Sequence, residues 1–303
     1  MKRAHLLPLP LLFLAAAGVL AQQKTPEERE REKKYLEQAA KVNADTSKHY
    51  GWNHTSSGAL NLTQVSFKDW VAGGSNTLAY SVVLQGSSVL TSERTVWTNN
   101  YKFAFGQARL GDQGLRKTDD DIYIESLLIY KMGTYVNPYG AVTLRTQFAP
   151  GYNYDTKPES VVSRLFDPAY VTQSAGMEYK PVPEFSTRVG AALREVVTSQ
   201  YNQYATDLTT HEVHKVWTRG GLESVSELNA NVAENIQFVG RLELFAPFQS
   251  FDRIVVRNDY SIVAKVNKYI STGLTLNIIN DVNVSARTQM KQALALGLTY
   301  TLF

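Results

Sequence analysis

The sequence predicts an all-β protein: a transmembrane antiparallel β-barrel of about twelve strands, preceded by a short charged N-terminal helix. Three observations predict it. In the stretch Gln292 to Phe303, QALALGLTYTLF, residues Leu294, Leu296, Leu298, Tyr300 and Leu302 share one parity, opposed by Ala293, Ala295, Gly297, Thr299 and Thr301. A period of two marks a strand with one apolar face. Similar segments recur along the chain at roughly 11 to 15 residues each, whereas globular strands run near 5 or 6 and a lipid-crossing strand needs about 9 to 11. Finally, the ionic residues of these segments fall on the polar parity, away from the face that would meet lipid.

Composition narrows the alternatives. Of 303 residues, 44% are hydrophobic and only 19% charged, yet the mean hydropathy is slightly negative, which excludes a bundle of membrane helices but suits strands that alternate faces. The 17 Tyr, 12 Phe and 4 Trp suit aromatic girdles at membrane interfaces, although a soluble all-β protein with a Tyr-rich surface would share them. A net charge of +3 is too small to imply nucleic acid as a partner. The chain has no cysteine, so disulfide scaffolds, thiol catalysis and Cys-ligated zinc are excluded.

The chain opens with Lys2, Arg3 and His5, an apolar run from Leu6 to Ala17, and small residues around Ala21. This pattern predicts a secretory signal peptide over 1–21, too short and too proline-broken at Pro8 and Pro10 to span a bilayer. Residues 22–50 form the next unit, a charged periplasmic arm. Thr25 caps a helix over Lys24 to Ser47, Pro26 takes its first position and Glu28 closes a capping box. Its apolar stripe, Tyr35, Leu36, Ala39 and Val42, is narrow. The arm docks on a periplasmic partner, plugs the barrel, or is a solvated, partly frayed leader.

The barrel is expected over 51–303. Leu60 and Leu62 open a strand that ends near Trp70, with a tight turn at Gly73 to Asn76. Leu78, Tyr80, Val82 and Leu84 alternate with polar or small neighbours, as do Tyr101, Phe103 and Phe105. Asp119, Asp120 and Asp121 break the pattern and read as a polar turn before Ile122, Ile124, Leu128 and Tyr130. Asn137-Pro138 reads as the next turn, followed by Val142 and Leu144. Residues 152–169 are the longest irregular connection, and strands resume near Tyr170 and at Phe185, where Val189, Ala191 and Leu193 share a face. A polar connection spans about 200–214. Strands led by Ile236, Ile254 and Ile270 then precede the last one. No repeat of 20 to 50 residues divides the chain, so a propeller is not expected.

Ten charged residues oppose the apolar positions: Lys102, Glu125, Arg145, Arg188, Arg194, Arg241, Glu243, Arg253, Arg257 and Lys265. Each Arg or Lys facing lipid at mid-depth would cost about 2–4 kcal/mol, so the polar side is the lumen. Ion pairs such as Glu125 with Arg145, or Glu243 with neighbours of Arg241, could partly fill a barrel this narrow. Two readings stand. In one the lumen is a pore or binding barrel selective for small anionic solutes, because basic residues outnumber acidic ones in this set. In the other it is a plugged, self-neutralising structure, and the barrel serves as a scaffold for a periplasmic or envelope partner reached through residues 24–47.

Several stretches resemble the DUF3078 family of Bacteroidetes-type outer-membrane proteins. They are QVSFKDWVAGG at 64–74, WTNNYKFAFG at 97–106, KTDDDIYIESLLIYKMG at 117–133, LRTQFAPGY at 144–152, FDPAYVTQSAGMEYKP at 166–181 and VNKYISTGLTLNIINDVNV at 266–284. The resemblance implies an outer-membrane barrel in a Gram-negative cell, with lipid and the barrel assembly machinery as its partners. It brings no catalytic residue, cofactor or metal. One departure concerns the end of the chain: outer-membrane barrels commonly finish Tyr-x-Phe, whereas here strict alternation places Leu302, not Phe303, on the apolar face.

Catalytic and metal chemistry finds little footing. His211-Glu212-Val213-His214 lacks the two-residue spacing of a zinc-protease helix, and positions three apart on a strand face opposite ways. His49 and His54 have no matching carboxylate cluster. The acidic triplet lacks the spacing of a calcium loop. A hydrolase at the lipid-facing rim would need a Ser–His pair that the sequence does not identify. The chain is read as non-enzymatic, with no cofactor.

Overall fold

A computed structural model describes residues 50–66, 75–206, 212–267 and 269–301. The barrel strands are β1 (Gly51–Val65), β2 (Thr77–Thr91), β3 (Thr95–Leu110), β4 (Arg116–Tyr130), β5 (Val136–Thr146), β8 (Ala169–Val182), β9 (Phe185–Val197), β10 (Val216–Ala233), β11 (Ile236–Pro247), β12 (Val255–Lys265), β13 (Ile270–Asn280) and β14 (Gln289–Thr301). Each pairs antiparallel with its neighbour, and β1 pairs with β14, so the twelve close into a barrel. The two remaining strands, β6 (Gly151–Asn153) and β7 (Ser160–Ser163), form a separate hairpin between β5 and β8. The expected 1–21 leader and most of the 22–50 arm lie outside the described residues, as do Trp70, Leu302 and Phe303.

Parity organises the barrel wall. Leu294, Leu296 and Leu298 are 78%, 66% and 59% exposed, and Leu84, Phe103, Leu128, Val142, Val189 and Leu193 are exposed on the same outward face. The opposite parity points inward. Its apolar members form two small clusters, Leu127 with Tyr139 and Ala141, and Ala192 with Phe245 and Val255. Between these clusters the lumen is filled by charged side chains.

The two rims differ. Gly51, Thr301 and the short connections 92–94, 131–135, 183–184, 234–235 and 266–269 lie at one end. Val65 and Thr77, Val197 and Val216, and the connections 111–115, 147–168, 248–254 and 281–288 lie at the other. Exposed Trp52, Trp97, Tyr130 and Tyr179 gather near the short-turn rim, where Trp52 stacks on His54 and tilts against Trp97. Exposed Phe148, Tyr152, Phe248 and Phe251 mark the long-loop rim.

Two sequence expectations are corrected. Asp119, Asp120 and Asp121 are not a turn: they lie inside β4 and pair with Gly106, Phe105 and Ala104 of β3. Asn137 and Pro138 are not a turn either; they open β5, where Pro138 pairs with Met177 of β8 alone. A proline at a strand start sacrifices no ladder hydrogen bond on its free side. The turn precedes it, and the Asn137 side-chain oxygen accepts from the backbone N–H of Met132 and Gly133. The 152–169 connection is also less irregular than expected, because it contains the β6–β7 hairpin.

Close approach explains one glycine pair. Gly176 and Gly190 face each other across β8 and β9. A Cβ on Gly190 would sit 2.2 Å from the Ala175 carbonyl oxygen and 2.8 Å from the Tyr139 hydroxyl. Glycine here lets Tyr139 lie inside the lumen, with Arg188 above its ring at 5.7 Å.

Candidate functional site

The inward parity of eight strands converges on a charged lattice. Its centre is Glu125 of β4, which has 0% of its surface exposed. Its carboxylate accepts hydrogen bonds from Arg188 of β9, from both terminal nitrogens of Arg241 of β11 at 3.1 and 3.2 Å, and from Asn100 at 3.4 Å. In the ring of strands, β5 and β8 separate β4 from β9, and β5, β8, β9 and β10 separate it from β11. These bonds therefore run across the lumen and not along the wall.

Arg241 is saturated, since it also donates to Glu227 and, through Nε, to Glu243 at 2.7 Å. A second crossing joins Arg145 of β5 to Asp259 of β12 at 3.5 Å. Asp121 lies between Lys102 at 3.3 Å and Arg145 at 3.9 Å. A third crossing joins Arg194 of β9 to Asp281, just past β13, at 3.6 Å. A fourth joins Asp119 of β4 to Lys291 of β14. The ring of Tyr123 lies within 4.9 and 5.3 Å of the Arg145 and Arg241 guanidinium carbons, so each cation is drawn to the π-cloud as well as to carboxylate.

The acidic triplet now has three separate roles, because successive residues of a strand alternate faces. Asp119 and Asp121 point inward to cations. Asp120 points outward, pairs with Lys117 at 2.9 Å and accepts from the backbone N–H of Phe148 and Ala149, fastening the start of the 147–168 connection. Asp167, at the far end of that connection, accepts from the N–H of Ser199 and Gln200 and so ties it to the 198–215 connection.

Of the sequence-proposed lumen residues, Lys102, Glu125, Arg145, Arg188, Arg194, Arg241, Glu243 and Arg257 lie on inward positions of the barrel. Two do not join them. Arg253 falls in the 248–254 connection, not in a strand, because β12 begins only at Val255. Lys265 is the exposed last residue of β12, at the short-turn rim, where its backbone and not its ammonium bonds Asn235. The expected pairing also differs: Glu125 binds Arg188 and Arg241, not Arg145, and Glu243 binds Arg241 itself. Sequence reading missed the carboxylates Asp119, Asp121, Glu227, Asp259 and Asp281, most of which were legible as inward by parity with Glu125, Arg241 and Arg257. With them included, the lumen is close to electrically balanced.

On the histidine motif, His214 lies 3.7 Å from Glu212, while His211 is outside the described residues. Among the described residues no three metal-ligating side chains cluster.

Solved structures similar to this chain include the translocator domain of the autotransporter NalP from Neisseria meningitidis, at 10% identity and TM-score 0.35, covering 90% of this chain and 97% of that one. An outer membrane channel from Pseudomonas putida F1 is 12% identical with TM-score 0.38, covering 83% and 95%. The β domain of the Bordetella autotransporter BrkA is 11% identical with TM-score 0.32, covering 82% and 99%. No curated protein matches the sequence. Residues 62–152, which run from β1 to β6 and carry Asp121, Glu125 and Arg145, match the model of a family described as protein of unknown function (DUF3078), and over that stretch the chain is similar to this family.

Proposed function

We propose that this chain is an integral β-barrel of a Gram-negative outer membrane, closed across its lumen by its own ion pairs. It works as a binding barrel for small solutes and not as a standing pore. The outward leucine and aromatic faces, the aromatic residues near both rims and the strand lengths support the membrane placement. The short turns then lie on the periplasmic side and the long connections outside. Lipid and the barrel assembly machinery are its partners in that setting.

The observation that carries the closed reading is Glu125, buried and hydrogen-bonded to Arg188 and Arg241 from the other side of the lumen. In planar bilayers the purified wild-type chain is expected to be silent, while Glu125→Ala combined with Arg241→Ala opens measurable conductance. Steady wild-type conductance would overturn the closed reading.

The balance of charge inside the barrel favours a second reading, in which the lumen is purely structural and residues 24–47 recruit a periplasmic partner. Deleting 24–47 should then remove a protein that co-purifies with the full chain. An unchanged set of co-purifying proteins would count against it.

A further inference from the structure

The lattice is not uniformly bonded, and its more loosely bonded part lines a cavity of about 40 Å³ between the crossings and the long-loop rim. Tyr123, Arg145, Tyr170, Arg194, Arg241 and Arg257 line it. A volume of this size exceeds the ~10–15 Å³ that one water needs.

Three of the four guanidiniums on its wall lack the close carboxylate contacts that Arg188 and Arg241 make. Arg145 and Arg194 meet carboxylates only at 3.5 Å and beyond, and among the described residues neither donates a side-chain hydrogen bond. Arg257 has neither a hydrogen bond nor a carboxylate within 4.0 Å among the described residues. Each guanidinium carries five donors, so the wall holds more N–H groups than the acceptors beside them engage among the described residues. The hydroxyl of Tyr123 is buried on the same wall and has no hydrogen-bond partner among the described residues.

The two carboxylates on the wall do not fill this deficit. Glu243 is engaged by Arg241 at 2.7 Å, and Glu223 is hydrogen-bonded to Ser174. A guanidinium withdrawn from bulk water with few of its hydrogen bonds remade loses solvation that distant carboxylates only partly return. An anion with several acceptor oxygens would offset that loss, because guanidinium forks match the oxygens of phosphate and sulfate.

We propose that the cavity between Arg145, Arg194 and Arg257 is a binding site for one phosphate-type oxyanion, free or borne on a small solute. The inference rests on the binding-barrel reading and names its ligand class. Arg257 supplies the uncommitted charge, Arg145 and Arg194 add flanking donors, and the Tyr123 hydroxyl supplies a neutral one.

The test is calorimetric titration of the detergent-solubilised full chain with inorganic phosphate, sulfate, glycerol 3-phosphate and chloride. One oxyanion per barrel is expected, with chloride weaker. Binding of phosphate and glycerol 3-phosphate alike identifies a site open to a borne group, whereas binding of phosphate alone identifies the free ion. Arg257→Gln should weaken binding about 10- to 100-fold, the loss expected for one charge-assisted contact. Arg257→Lys should retain part of it, and Arg253→Gln, outside the lumen, should leave it unchanged. Heat-modified migration on gels shows whether each variant is folded. If Arg257→Gln does not fold, the Tyr123→Phe variant must weaken binding for the proposal to stand.

No oxyanion binding by wild type, or equal binding by folded Arg257→Gln, would overturn the site. A silent wild type in planar bilayers that fails to bind oxyanion removes the site and leaves the closed barrel standing. A conducting wild type whose oxyanion binding depends on Arg257 does the reverse.

Discussion

Glu125 has no water to return to if its partners are removed, and neither have the guanidiniums it holds. Truncating one member of a buried charge set leaves the others uncompensated, which costs about 3–5 kcal/mol, while replacing the whole set with apolar residues of similar volume is often neutral. Glu125→Ala is therefore expected to lower the unfolding free energy by about that amount, measured by urea titration with tryptophan fluorescence in detergent micelles. Replacing the whole set, Glu125, Arg188, Arg241, Glu227 and Glu243, by leucine should recover most of the loss. If both variants unfold at the wild-type midpoint, the pairs contribute nothing to stability. Inward placement of Glu125 was legible from its parity opposite Ile122, Ile124 and Leu128. Its partners were not, because Arg188 and Arg241 lie 63 and 116 residues away in sequence, and only the order of strands around the ring decides which inward residues meet.

At the scale of the strand, alternation sets what a substitution does. Leu296 is outward and 66% exposed, so Leu296→Arg would place a cation against lipid in the proposed bilayer setting, at a cost of up to about 2–4 kcal/mol at mid-depth. Unfolding from lipid vesicles measures this; an unchanged midpoint would mean that the face meets water. Strand pairing makes a separate prediction at the closure. The β1–β14 ladder runs only from Ser57↔Thr301 to Asn61↔Gly297, whereas β1 and β2 pair from Gly51↔Thr91 to Val65↔Thr77. The chain has no cysteine, so an introduced pair is unambiguous. Leu60→Cys with Leu298→Cys, which face each other, should crosslink on mild oxidation. Leu60→Cys with Leu294→Cys, offset by about 13 Å along the strand, should not. Failure of the first pair would mean that the barrel does not close in this register. Misreading Asp119 to Asp121 as a turn has a local cause: three consecutive carboxylates cannot all face one medium in a helix or a soluble strand. In β4 the middle one faces out to bind loop N–H groups while its neighbours face inward to cations.

For the whole molecule, the apolar side chains lie outside and the ionic ones inside, the reverse of a water-soluble domain. The chain is accordingly expected to stay in solution only with detergent or lipid, tested by sedimentation after detergent removal; a monodisperse barrel in plain buffer would contradict the proposed membrane placement. By itself the sequence determined the all-β class and the two faces of most strands, since these follow from a period of two that each segment carries locally, although it misplaced the starts of β4, β5 and β12. It did not determine that the lumen is nearly neutral, that Glu125 meets Arg188 and Arg241, or that Arg257, with no hydrogen bond among the described residues, lies beside a cavity. Those depend on which strands lie opposite one another across the ring and how far each is staggered along its neighbour. That arrangement is a property of barrel closure, and no single strand encodes it.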